Sequence, residues 1–234
     1  MKKERIKIKN IPAIVWGKPK DAVYLYVHGQ GGRKEEAELF ANIAEKKGWQ
    51  VISMDLPGYG EREEEIAHFD PWHVTPELTE VMQYIRERWK KVSLFANSIG
   101  AWYSMLSYQK EAFTQCLFLS PVLDMYRLIS NMIQWAGTTE ECLKEKGVIP
   151  TDFGQTLYWD YYQYAKKNAI TEWKHPTSIL YGTKDHLIEY EVVKDFSKRF
   201  HCELSVMEGG EHWFHTKEQL AVMEKWARKV MIEN

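Results

Sequence analysis

The chain has 234 residues, 44% of them hydrophobic, with 31 Lys plus Arg against 33 Asp plus Glu. Such a composition excludes intrinsic disorder and a fibrous repeat, and the length suits one domain carrying a modest insertion. A formal net charge of −2 provides no basic footprint, so neither nucleic acid nor an anionic membrane is expected as a partner. The aromatic load is high, with 10 Trp, 13 Tyr and 9 Phe, and such side chains build cores and line ligand pockets equally well. Cys116, Cys142 and Cys202 are too few and too scattered for a disulfide framework or a zinc site, and Cys116 is expected to pack as a small hydrophobe. No run approaches the roughly 18 apolar residues of a membrane span. The charged start is followed by no apolar signal region, because Lys7, Lys9 and Pro12 interrupt it. A cytoplasmic location is the expectation.

In chain order, residues 5–16 alternate basic and apolar side chains around Asn10 and Pro12. They predict two short strands joined by a turn, at a sheet edge where Pro is tolerated. Residues 23–27 form an apolar run that stops at His28-Gly-Gln-Gly-Gly32, the pattern of a buried strand. Ala37, Phe40, Ala41 and Ala44 keep helical spacing within residues 34–47, and Gly48 closes that helix. A strand over 51–54 leads into the loop Asp55-Leu-Pro-Gly-Tyr-Gly60. Thr75-Pro76 reads as an N-cap with Pro at the first helical position, opening a helix over 77–89. Strand 92–96, helix 99–109 and strand 115–119 follow. Residues 122–173 break the rhythm: they are helical in character, rich in Trp and Tyr, and offer no strand. The rhythm resumes with strand 177–181, helix 190–200, strand 203–207 and a closing helix over 217–232.

Strands alternating with helices predict an α/β fold, a mostly parallel central sheet with helices on both faces. The core is expected over residues 1–121 and 174–234, with a small helical cap insertion over 122–173 at the carboxyl edge of the sheet.

Ligands of open α/β sheets sit at that carboxyl edge. Ser98 lies there, on a tight strand-to-helix turn within Ala96-Asn-Ser-Ile-Gly100, which is G-x-S-x-G with Ala in the first place. A serine opening a helix also serves as an N-cap, so the motif alone leaves both roles open. Asp185 and His212 each follow a strand, giving the order Ser, Asp, His. Nucleophilic catalysis needs a base for the hydroxyl proton and a carboxylate to orient that base. The glycine-rich turn at His28 leaves backbone N–H groups free, and those of Gln30 and Ile99 are candidate oxyanion donors. Phosphate-loop patterns do not fit, because Arg33-Lys34-Glu35 fills their later positions.

Five short motifs in register resemble the α/β-hydrolase family, across residues 22–226. They are His28-Gly-Gln-Gly-Gly32, Asp55-Leu-Pro-Gly-Tyr-Gly60, Ala96-Asn-Ser-Ile-Gly100, Gly182-Thr-Lys-Asp185 and Gly209-Gly-Glu-His212. The resemblance implies Ser98 as nucleophile, Asp185 as acid, His212 as base, Gln30 and Ile99 as oxyanion donors, and a cap roofing the pocket. Two departures stand out: Ala96 replaces Gly at the elbow, and Glu61 stands where many members carry Ser.

Rival candidates exist. Asp124 also follows a strand and can serve as the acid, while His215 and His186 compete for the base. His68 and His73 flank Asp70, although Pro71 breaks any shared helical face for a metal. The run Glu61-Arg-Glu-Glu-Glu65 reads as a solvated loop.

The expected activity is hydrolysis of a carboxylic ester through an acyl-enzyme, with no cofactor. A peptidase, which often needs an anchor such as Arg127 or Arg62, a thioesterase, and a non-catalytic binding protein on the same fold are the alternatives. The expected partner is a small ester with an apolar or aromatic part. Trp102, Trp135, Trp159 and Trp213 are candidate substrate-binding residues, and Tyr158, Tyr161, Tyr162 and Trp173 are further candidates for pocket walls.

Overall fold

The computed structural model describes residues 1–234. The chain opens with β1 (Lys3–Ile8) and β2 (Ile11–Trp16), an antiparallel pair with Lys3 opposite Trp16. There follow β3 (Ala22–Val27), α1 (Ala37–Lys46), β4 (Gln50–Met54), α2 (Pro71–Arg86), β5 (Lys91–Asn97), α3 (Ile99–Tyr108) and β6 (Cys116–Leu119). An insertion comes next: α4 (Met125–Trp135), α5 (Glu140–Lys146), β7 (Val148–Pro150), β8 (Thr156–Tyr158) and α6 (Trp159–Lys167). The chain closes with β9 (Thr177–Gly182), α7 (Tyr190–Arg199), β10 (Glu203–Met207) and α8 (Lys217–Val230).

Eight strands form the main sheet in the order β1-β2-β4-β3-β5-β6-β9-β10. Neighbours from β4 to β10 are parallel, while β2 runs antiparallel to both β1 and β4. From β3 the chain winds one way to β4, and from β5 the other way to β6. The strand order therefore reverses between β3 and β5, and the crevice outside their carboxyl ends is where such sheets bind ligands.

Strand alternation divides the core in two. Val23, Leu25 and Val27 of β3 face the α2, α3 and α7 side, whereas Ala22, Tyr24 and Tyr26 face α1 and α8. Cys116 is fully buried on the first side. The insertion shares that core, since Leu128, Ile133, Leu157 and Tyr162 belong to the same cluster. No helix is long and apolar enough to cross a membrane.

The structure corrects three expectations. Helix α2 starts six residues before Glu77, because Asp70 caps it by accepting from His73 N–H at 2.9 Å and Pro71 takes the first helical position. Its buried stripe begins at Pro71 and Val74, ahead of Pro76, which is tolerated inside the helix. The insertion does contain strands: β7 and β8 pair antiparallel around a short loop with Gly154 at φ +82°. Runs of three residues are too short to show a period. The charge run at 61–65 lies in a 3₁₀ helix over Gly60–His68, and Arg62 is buried, forking onto Glu77 at 2.6 and 2.7 Å and pairing with Glu65. Burial there is possible because the guanidinium is paired on both sides.

Candidate active site

Ser98 stands between β5 and α3 with φ +51° and ψ −124°, a left-handed conformation that few non-glycine residues adopt. The surrounding backbone holds it there. Its N–H donates to Leu119 O at 3.0 Å, and its carbonyl accepts from Ala101 N–H at 3.1 Å and Val122 N–H at 3.0 Å. The turn demands small neighbours: a Cβ on Gly100 would lie 2.5 Å from His28 O and 2.8 Å from Val27 O. Ala96 sits one step earlier as an ordinary strand residue, paired with Val27 and Phe118, so the elbow accommodates its methyl group.

His212 Nε2 lies 2.7 Å from Ser98 Oγ, and His212 Nδ1 lies 2.7 Å from Asp185 Oδ2. A carboxylate accepts at Nδ1–H, which leaves Nε2 to accept the serine proton. Asp185 Oδ1 accepts from the Leu187 and Ile188 N–H groups, both at 2.9 Å. The Asp185 side chain is out of solvent and that of His212 is nearly so. The acid and base loops are joined by backbone: Lys184 N–H donates to Gly210 O at 2.7 Å and Thr183 N–H to Met207 O at 3.0 Å. A Cβ on Gly182 would lie 2.3 Å from Gly210 O, so this approach requires glycine.

The rivals fall elsewhere. Asp124 is exposed and caps α4, accepting from Arg127 N–H at 2.9 Å. His186 is exposed, and His215 packs its ring on Trp213 with centroids 4.4 Å apart. His68 and His73 stack at 4.3 Å on the surface, with His73 Nδ1 on Asp70. Arg127 is forked onto Glu189 at 2.9 and 3.0 Å, so both arginines considered as peptide anchors already hold carboxylates.

Gln30 lies in the turn after β3, exposed, and its N–H makes no hydrogen bond within the chain. Ile99 is the first residue of α3, so its N–H lies ahead of the helical ladder. The turn is braced from below by buried His28, whose Nδ1–H donates to Gly29 O at 2.7 Å and whose Nε2 accepts from Leu56 N–H at 3.0 Å. Burial pushes the His28 imidazole down to about 4, so it is neutral at pH 7. A second brace runs between Lys34 and Asp55, with Nζ 2.5 Å from Oδ2 and Lys34 N–H 2.8 Å from Oδ1. Lys34 Nζ also reaches Glu61 at 2.8 Å.

The aromatic candidates divide. Trp102 is 1% exposed, stacked on Tyr161 and edge-on to Tyr164, so it packs α6 onto α3 and presents no face to a ligand. Tyr162 and Trp173 are likewise buried in the core, and Tyr161 is spent on this packing. The cause is that α6 needs an apolar seat on the sheet's helix layer, and aromatic rings provide it. Trp159 is half-buried against Tyr162, Trp135 stands on the surface against Phe153, and Tyr158 is exposed. Trp213, beside His212, is 69% exposed. Two braces went unread in the sequence, the Lys34–Asp55 pair and Gln219. The second had a signal, since Thr216-x-x-Gln219 is a capping-box pattern, and the box is present.

This sheet, with a strained serine at its reversal point, defines an α/β-hydrolase. Residues 17–148, more than half of the chain, match the family model described as serine aminopeptidase, S33, and the chain belongs to that family. It is a hydrolase of that fold. Among solved structures, it is similar to Est1E from Butyrivibrio proteoclasticus bound to ferulic acid, at 17% identity and TM-score 0.76, covering 97% of this chain and 96% of that one. A putative hydrolase from Agrobacterium vitis S4 aligns at 16% identity and TM-score 0.77, over 97% and 98% of the two chains. A soluble variant of monoglyceride lipase from Saccharomyces cerevisiae aligns at 14% identity and TM-score 0.69, over 100% and 96%. No curated protein sequence gives a match.

Proposed function

We propose that the protein hydrolyses carboxylic esters through an acyl-enzyme, with Ser98 as nucleophile, His212 as general base and Asp185 as its orienting acid. The observation that carries this reading is the hydrogen-bonded series from Ser98 Oγ through His212 to Asp185, 2.7 Å at each link, built on a left-handed Ser98. His212 takes the hydroxyl proton as Ser98 Oγ attacks the ester carbonyl, and Asp185 stabilises the imidazolium. The developing oxyanion accepts from the N–H groups of Gln30 and Ile99. His212 then protonates the leaving alcohol and activates the water that releases the acid.

The insertion over 122–173 acts as a cap beside this site, and Trp135, Trp159 and Trp213 are the remaining candidates to meet an apolar or aromatic group of a small ester. The similarity to ferulic-acid-bound Est1E and to a monoglyceride lipase supports an ester as the substrate class. The family's description as serine aminopeptidase favours amide cleavage as a second reading. Against it, Arg62 and Arg127 are already paired and offer no free anchor for a peptide terminus.

A panel of p-nitrophenyl esters from acetate to decanoate, run beside aminoacyl p-nitroanilides, tests the reading. Ester turnover that Ser98→Ala abolishes while circular dichroism stays unchanged is the expected result, with fluorophosphonate labelling lost in the same variant. Wild-type rates in Ser98→Ala would sink the nucleophile assignment, and turnover confined to anilides would replace ester with amide.

A further inference from the structure

We propose that Gln219 is a positioning residue that fixes the His212 loop around its imidazole; the inference rests on the reading of His212 as the base. Segment 208–216 contains no helix or strand, so no regular ladder sets the direction of the ring. Towards the acid loop it is held by Lys184 N–H on Gly210 O, and by Gly209 N–H on Thr183 Oγ1 at 2.8 Å. Those bonds stop two residues short of His212. Beyond it, Phe214 buries its ring in the core, a contact without directional bonds.

Beside a local bond of His215 Nδ1–H to Trp213 O at 2.8 Å, the bonds that reach across His212 from the residue before it to those after it come from one amide. Gln219, third in α8 and 5% exposed, donates from Nε2 to Glu211 Oε2 at 3.0 Å, immediately before the imidazole. Its Oε1 accepts from His215 N–H at 3.0 Å and from Thr216 N–H at 3.4 Å, just after it. Donor and acceptor of a planar, buried group are thus both used, and they span the loop like a clamp. A 2.7 Å bond to Ser98 tolerates little drift, since about 1 Å of misplacement can cost about a hundredfold in rate.

The same side chain completes the α8 capping box with Thr216, so a loss of stability alone would not distinguish clamp from cap. Thr216→Ala supplies the separation: it removes the acceptor for Gln219 N–H and leaves the bonds to Glu211 and His215. Gln219→Leu removes every side-chain bond at similar volume, and Gln219→Glu keeps the acceptor but sets a carboxylate against Glu211. The double variant Glu211→Gln with Gln219→Glu exchanges donor and acceptor and restores the clamp.

The measurements are kcat and KM on p-nitrophenyl acetate, the melting temperature, and the downfield proton resonance of His212 Nδ1–H. Gln219→Leu and Gln219→Glu are expected to lose about tenfold or more in kcat with KM nearly unchanged, and to broaden that resonance. Thr216→Ala should melt earlier yet keep wild-type kcat, and the double variant should recover most of the rate. Wild-type kcat in Gln219→Leu, or an equal loss of kcat in Thr216→Ala, overturns the proposal. The resonance separates this failure from failure of the proposed function. If Ser98→Ala retains turnover, the nucleophile is wrong, and a His212 signal unchanged in Gln219→Leu overturns the clamp independently.

Discussion

The carboxylate of Asp185 divides its two oxygens: Oδ2 lies 2.7 Å from Nδ1 of His212, while Oδ1 is held at 2.9 Å by the Leu187 and Ile188 N–H groups. One oxygen is thereby anchored to backbone so that the other can orient the imidazole. Asp124, the rival in the sequence, spends its oxygen on the cap of α4. Asp185→Asn should cut kcat by about 10⁴-fold, the scale seen when the orienting carboxylate of a serine triad is lost. Asp124→Asn should stay near wild type, because Asn is an equally good N-cap. Steady-state kinetics on a p-nitrophenyl ester checks both, and a reversed ranking would return the acid role to Asp124.

His28 predicts an acid-sensitive brace. Burial holds its imidazole down to about 4 against an ordinary value of 6.5, so the folded state favours the neutral ring. A depressed histidine contributes its full stability above pH 6.5 and loses it as pH falls towards 4. Across that window the loss is about 3 kcal/mol. Urea unfolding at stepped pH should show the decline in wild type. In His28→Leu that part of the slope should vanish, together with some stability at pH 7 as Leu56 N–H loses its acceptor.

The Lys34–Asp55 pair predicts a larger effect at neutral pH. Both side chains are essentially out of solvent, so Lys34→Met leaves an uncompensated buried carboxylate and should destabilise by about 3–5 kcal/mol. Burial by itself lowers the Lys34 ammonium, but its bonds to Asp55 and Glu61 outweigh that and raise it above 10.5. A raised lysine keeps its contribution below the ordinary value and loses it as pH climbs through the folded one. The difference between wild type and Lys34→Met in urea midpoint should therefore be constant near neutrality and shrink above about pH 10.5.

Tyr161 predicts how the insertion is fastened. Its ring stacks on Trp102 and its hydroxyl lies 3.1 Å from that of Tyr103. Tyr161→Phe should cost about 1 kcal/mol for the hydrogen bond, and Tyr161→Ala about 3 kcal/mol for the lost packing. Hydrogen exchange should rise over α6 in the alanine variant well before it rises in β5. Uniform exchange across both elements would mean that the insertion unfolds only with the sheet.

Much of the site was legible in the residues. Gly100 and Gly182 mark places where two backbone segments come so close that a methyl group has no room, and that demand is written locally. The Pro71 start of α2 is obscured in the sequence because Thr75-Pro76 carries a second start signal, and the Asp70 cap with the burial of Pro71 and Val74 decides between them. Trp102 and Tyr161 were legible as aromatic, not as partners of each other, since they are 59 positions apart along the chain.

The sequence by itself determined the alternation of strands and helices, the parallel sheet, and the order of Ser98, Asp185 and His212 at strand ends. Those follow from periods of two and 3.6 residues and from glycine turns, which are local properties of the chain. Tertiary structure alone decided that Asp185, not Asp124, meets His212. It also decided that Arg62, Arg127 and Lys34 are spent on carboxylates, and that Trp102 supports α6 instead of facing the cleft. Charge pairing and ring packing are pairwise distances between remote residues, and a linear pattern does not contain them.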